Sequence, residues 1–296
     1  ATGICRPAYS PADSDAGAAS PALLSHTPRC MTPTLVFDIE TVPDVAGLRR
    51  LHRVPATLSD ADVLTWAGQQ RRAAIGSDFL PLYLQRVVAI ACALREGNAF
   101  RVWSLGESAD PEAELIRRFF DGVDRYTPQL VSWNGSGFDL PVLSQRALIH
   151  GVVAAKFWDW GDDDREFKFN NYLGRYHTRH LDLMDVLSMY QPRAAAGLDA
   201  MARLSGFPGK VGMDGSEVSA AYREGRLEAI RRYCETDAMN TYLVYLRFQQ
   251  LRGALTTGEY AAEVSLAREK IASYREPHWQ EFIAAWDANA MNRNPE

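Results

Sequence analysis

Asp38 and Glu40 sit one residue apart in Leu35-Val36-Phe37-Asp38-Ile39-Glu40-Thr41, a run that otherwise reads as a short apolar strand. Side chains alternate along a strand, so the two carboxylates point to one side while Phe37 and Ile39 point to the other. Acids held this close repel unless a cation lies between them, and strands are depleted in both residue types. Two readings follow: an edge strand with a solvated acidic face, or a buried strand whose acids hold a divalent ion. Two later stretches bear on the choice. Asn134-Gly135-Ser136-Gly137-Phe138-Asp139 delivers an aspartate to the head of a helix through a glycine-rich turn. Tyr233-Cys234-Glu235-Thr236-Asp237 places a tyrosine and an aspartate four residues apart, on one helix face. Taken singly, the first fits a capping aspartate and the second a solvated helix face.

The elements that must carry these residues are readable from period and punctuation. Arg86 to Leu94 reads as a second strand, turning at Gly97-Asn98 into a third from Ala99 to Leu105. Asp110-Pro111-Glu112 is a helix start, with the helix running to about Phe120. Gln129 to Trp133 is a fourth strand, ending where the glycine turn begins. Leu227 to Leu251 is one long helical pattern, and residues 44 to 80 are mixed and partly helical. Three strands, a helix and another strand form the order of a mixed sheet with helices packed on it.

Phe37-Asp38-Ile39-Glu40, Asn134-Gly135-x-x-Phe138-Asp139 and Tyr233-x-x-x-Asp237, in this order, resemble the three motifs of the DEDD exonuclease superfamily. They are similar in particular to its tyrosine branch, which includes the proofreading domains of B-family DNA polymerases. The wider match, over roughly Thr34 to Leu251, resembles the predicted stand-alone polymerase-B-like 3′-5′ exonucleases. The histidine branch would place His five residues before the last aspartate, where this chain has Arg232. The resemblance implies an α/β, ribonuclease H-like mixed sheet flanked by helices. It implies metal ligation by Asp38, Glu40, Asp139 and Asp237, with Tyr233 orienting the attacking water. Four carboxylates suit hard ions, so two Mg²⁺ or Mn²⁺ per site are expected.

Lys156 to His180 interleaves Phe157, Trp158, Trp160, Phe167, Phe169, Tyr172 and Tyr176 with Lys168, Arg175, Arg179 and other cations. Aromatic platforms with cations grip single strands, and aromatics also cover cores; both readings stand at this stage. Asn134, Phe138, Trp158, Lys168 and Arg175 are the substrate-binding candidates. His180 to Asp185 reads as a strand entering a helix, with capping the role expected of Asp182 and Asp185. Lys210 offers two readings, a contact to substrate phosphate and the commoner one of a solvated lysine.

A net charge of −5 argues against a broad basic face for duplex nucleic acid, though not against a local groove. Cys5, Cys30, Cys92 and Cys234 lack disulfide or zinc spacing, which points to a reducing, cytoplasmic setting. No apolar run approaches the roughly 20 residues of a membrane span. Residues 1 to 30, rich in Ala, Pro, Ser and Gly, are expected to be a disordered extension, with Met31 as the natural start. Residues 31–252 then form the exonuclease domain, and 253–296 a helical extension packed on it. The expected function is metal-dependent 3′-5′ hydrolysis of single-stranded 3′ ends, with DNA as the strand and no attached polymerase. The alternatives are an exoribonuclease on the same fold and a silent nucleic-acid-binding module, which would have no need of four carboxylates.

Overall fold

The computed structural model describes residues 32–291, and the expectations for residues 1 to 30 lie outside that range. Five strands form one sheet in the order β3-β2-β1-β4-β5. The Asp38 strand, β1 (Thr34–Pro43), is central. β2 (Gln85–Glu96) runs antiparallel to it and β3 (Ala99–Ser104) antiparallel to β2. On the other side β4 (Gln129–Ser132) and β5 (His180–Asp182) run parallel to β1. This is the ribonuclease H-like mixed sheet that the motifs imply.

The alternation of β1 divides the core. Leu35, Phe37 and Ile39 are buried with Ile116, Phe119 and Phe120 of α3 (Glu112–Tyr126) and Leu143 of α4 (Asp139–His150). Val36, on the opposite face, packs with Met239, Tyr242 and Leu243 of α8 (Leu227–Leu251). Asp38 and Glu40 share the parity of Val36, so both carboxylates face α8. Beyond Glu40 the pairing shifts from Ala89 to Val87, leaving Val88 as an extra residue in β2. Such a bulge re-aims side chains where a strand reaches a site.

The helix α3 starts one residue after the Asp110-Pro111 signal and runs on to Tyr126, because Phe119, Phe120 and Val123 all continue its buried stripe. Residues 44 to 80 hold two helices, α1 (Val45–His52) and α2 (Asp60–Ile75). Short helices α5 (Leu183–Leu187), α6 (Leu198–Leu204) and α7 (Val218–Arg223) lead to α8. Behind it, α9 (Thr257–Ala272) and α10 (Pro277–Met291) bury Ile271, Trp279, Phe282 and Trp286 in the α8 face of the core. Among the described residues no helix is long and apolar enough to cross a membrane.

Candidate active site

Where α8 crosses β1, one oxygen from each of Asp38, Glu40 and Asp237 lies within 4.8 Å of the others. Tyr233, one turn before Asp237, is 5% exposed, and its hydroxyl interacts with the Asp237 carboxylate. Asp139 arrives from β4 at the first position of α4 and is buried. Its charge bears on both Asp38 and Glu40, although it stands outside the tight trio.

The turn that delivers Asp139 has little freedom. Asn134 takes a left-handed φ of 66°, tolerated by Asn more readily than by most residues. A Cβ on Gly135 would fall 2.1 Å from the Ser132 hydroxyl oxygen, and one on Gly137 would fall 2.6 Å from Asn134 Oδ1. Asp182 secures the turn from β5, accepting from the amides of Asn134 (3.0 Å) and Ser136 (2.8 Å) while capping α5. Asp182 therefore has the capping role expected of it. Asp139 does not cap; Phe138 holds the N-cap position.

Burial raises the pKa of all four acids. Asp38 and Glu40 are pushed well above the usual carboxylate range by desolvation and then by their acidic neighbours. Asp237 rises to about 6 and Asp139 to about 7, with burial the main cause in each. Asp237 Oδ1 is buried without a hydrogen-bond partner. An acceptor left orphaned among raised-pKa carboxylates is the donor set a hard divalent cation takes, so the residues present fit Mg²⁺ or Mn²⁺.

Two neighbours of this cluster belong to no sequence motif that assigns them a place beside the acids. Cys234 is buried, and its thiol donates to the Asp38 carbonyl at 3.3 Å and carboxylate at 3.4 Å. Lys210 is no bystander in solvent. Its ammonium pairs with Asp214 at 2.8 Å, stands 5.8 Å from the Tyr233 ring centre and favours the charged forms of Glu40 and Asp237. The loop carrying it is pinned to α8 by reciprocal bonds between Asn240 and Gly209 (3.1 and 2.7 Å). Only the position of Cys234 beside Tyr233 on the sheet-facing stripe of α8 could have flagged it.

Asn134, Trp158 and Arg175 line one cleft of about 660 Å³, along the first turns of α4. Phe138 and Lys168 do not. Phe138 packs on the core and lies 6.1 Å from the Phe79 ring, and Lys168 is exposed beside Gly161. Arg175 reaches the cleft already bonded twice to Asp185, at 3.0 and 2.9 Å. The aromatic segment divides: Phe157, Phe167 and Tyr172 are core, whereas Trp158 is 43% exposed and Trp160 60%.

A mixed sheet in this order, with buried acids converging from its central strand and two helices, defines a ribonuclease H-like nuclease framework. The chain belongs to the family of predicted 3′-5′ exonucleases related to the exonuclease domain of PolB, whose model matches residues 77–286. That stretch includes Asp139, Tyr233 and Asp237 and begins after β1. Curated relatives include the DNA polymerase epsilon catalytic subunits of Arabidopsis thaliana, 24% identical over 147 residues, and of Dictyostelium discoideum, 28% over 143. Each alignment covers 46% of this chain and 6% of the polymerase. The family B DNA polymerase of the archaeon Pyrobaculum calidifontis aligns with 82% of this chain and 29% of its own, at 19% identity and a TM-score of 0.47.

Proposed function

We propose that this chain is a metal-dependent 3′-5′ exonuclease that removes nucleotides from single-stranded 3′ ends, with DNA as the preferred strand. The observation that carries the reading is the convergence of Asp38, Glu40 and Asp237, one of whose oxygens, Asp237 Oδ1, is buried without a partner. Asp38, Glu40, Asp139 and Asp237 would hold two Mg²⁺ or Mn²⁺ ions, which when bound lower the pKa of water and offset charge on the leaving 3′ oxygen. Tyr233 stays protonated, since burial and then the charges of Asp237 and Glu40 raise its pKa. It therefore acts as a hydrogen-bonding group that orients water, not as a base. Lys210 supplies a fixed positive charge beside the acids, and Cys234 holds the Asp38 carboxylate. Trp158 and Asn134 would meet the strand in the cleft. The matched relatives are DNA polymerases by name, which favours DNA.

We also take residues 31–252 as the exonuclease unit and 253–296 as its packed helical extension, supported by the apolar contacts of α9 and α10 with α8. A cytoplasmic setting is part of the proposal, since Cys92 and Cys234 are buried free thiols.

End-labelled DNA and RNA oligonucleotides, single- and double-stranded, incubated with Mg²⁺, Mn²⁺ or EDTA, test the reading. Stepwise loss from the 3′ end of single-stranded DNA, abolished by EDTA, is expected. Faster loss of RNA would reassign the strand, and binding without hydrolysis in either metal would overturn the enzyme.

A further inference from the structure

A second groove, of about 500 Å³, opens where β1 runs out, between the start of α1, the first turns of α2, and α7. It adjoins the carboxylate site. Val42, on its wall, is two residues beyond Glu40 and packs in the same apolar cluster as Tyr233 and Cys234, and Tyr222 lies against that cluster. Along the strand this is roughly 7 Å from Glu40.

The charges in the groove are unequally committed. Arg49 bonds Asp60 at 2.8 Å and the carbonyls of Pro55 and Leu58. Asp44 receives a 2.6 Å bond from the buried Arg146 and caps α1 through Gly47. Arg86 and Arg223 remain. Both are exposed, and among the described residues neither forms an ion pair within 4 Å, although Arg86 lies near enough to Asp44 to help hold that carboxyl below its usual range. Arg86 lies over the Tyr222 ring at 5.8 Å, which holds its guanidinium at the groove. Two guanidiniums without a close carboxylate contact, above an apolar floor of Val42, Leu64 and Tyr222, suit a chain with alternating phosphates and flat apolar faces. The acids next door cannot themselves attract a polyanion, so a cationic step beside them has a physical use in a chain of net charge −5.

We propose that this groove binds the phosphodiester backbone of the substrate strand just upstream of the nucleotide being removed, with Arg86 and Arg223 each meeting a phosphate. The proposal rests on the exonuclease reading for its choice of ligand. It explains how a protein with an acidic surface average would hold a strand long enough to cut it repeatedly.

The test is the salt dependence of binding. A fluorescent oligothymidylate long enough to pass the groove is titrated by anisotropy in Ca²⁺, for wild type, Arg86→Gln/Arg223→Gln, and the control Arg275→Gln at an exposed arginine outside the groove. Loss of two phosphate contacts lowers the slope of log K against log salt by about 1.4 in the double variant, and leaves the control unchanged. In Mg²⁺ the same variant shows a raised KM that grows with oligonucleotide length. Both side chains are exposed, so an unchanged melting temperature verifies the fold. Wild-type affinity and slope in the double variant would overturn the groove. So would thymidine 5′-monophosphate binding as tightly as the oligonucleotide in an Arg223-dependent way, which would make it a product site. If wild type cuts no oligonucleotide in Mg²⁺ or Mn²⁺ yet binds with the arginine-dependent slope, the exonuclease reading fails and the groove stands.

Discussion

Cys234 hangs its thiol on Asp38, 3.4 Å from the carboxylate and 3.3 Å from the same residue's carbonyl oxygen, so α8 grips the central strand at the acid that opens the first motif. A thiol is a weak donor, yet here it sets the direction of a carboxylate with few other constraints. Partners that orient a ligand are commonly worth 10- to 100-fold in metal affinity. Cys234→Ala should therefore weaken Mn²⁺ binding by about tenfold or more, measured by EPR titration, while Cys234→Ser, which keeps a donor, should lose much less. Equal affinity in both variants would reduce Cys234 to packing.

The metal-free protein should be stabilised by mild acid. Asp237 and Asp139 have folded pKa values of about 6 and 7, against about 4 when unfolded. Between those values the folded state binds more protons than the unfolded one, so stability falls as pH rises through the window. Melting temperature in EDTA should drop from about pH 5 to pH 7.5, and Mn²⁺ should flatten the curve by favouring the ionised acids. Asp38→Asn removes one charge from the cluster; it should raise the EDTA melting temperature at pH 7.5 and cut turnover by orders of magnitude. A variant that melts lower and stays active would remove Asp38 from the metal site.

Tyr233→Phe deletes only a hydroxyl. Strand affinity and Mn²⁺ affinity should hold while kcat falls about 10²-fold, the usual scale for a lost positioning group. Single-turnover quench-flow separates the steps. Lost affinity at unchanged kcat would mark Tyr233 as a packing or stacking residue.

Neighbouring aromatics should behave in opposite ways. Phe157 is 2% exposed, in the cluster with Phe120 and Tyr172, so Phe157→Ala should cost about 3–5 kcal/mol of stability in urea melts. Trp158 stands half open in the cleft beside Asn134. Trp158→Ala should leave the melting point nearly unchanged and weaken oligonucleotide binding by about 1–3 kcal/mol. Unaltered affinity would leave the cleft without a stacking platform.

The sheet was legible because β1 and β2 are long runs with alternating or wholly buried residues, and the metal candidates because each belongs to a local motif. Lys210 and Cys234 were not. Lys210 reaches the acids only because Asn240, 30 residues later, pins its loop, and no local pattern reports that. The same limit explains Arg175, whose partner Asp185 lies across a turn, and Phe138, which the core claims through contacts remote in sequence. Burial of Phe157 next to exposure of Trp158 has the same origin: the segment has no regular period from which to read its inward side.

The long helix α8 carries its acids in strict phase. Asp237 and Tyr233 face β1, while Glu235, between them, is turned outward to Ser104 (2.7 Å) and to His278 of α10 (3.0 Å). Each residue turns a helix by about 100°, so one amino acid inserted between Cys234 and Asp237 would rotate Asp237 by about 100° relative to Tyr233 without lengthening the chain appreciably. The Asp237 carboxylate would swing off the face it shares with Tyr233, away from Asp38. Changes of length are thus forbidden in this turn of helix, whereas the exposed end of the same helix, at Leu251, can gain or lose residues without disturbing the frame of the acids.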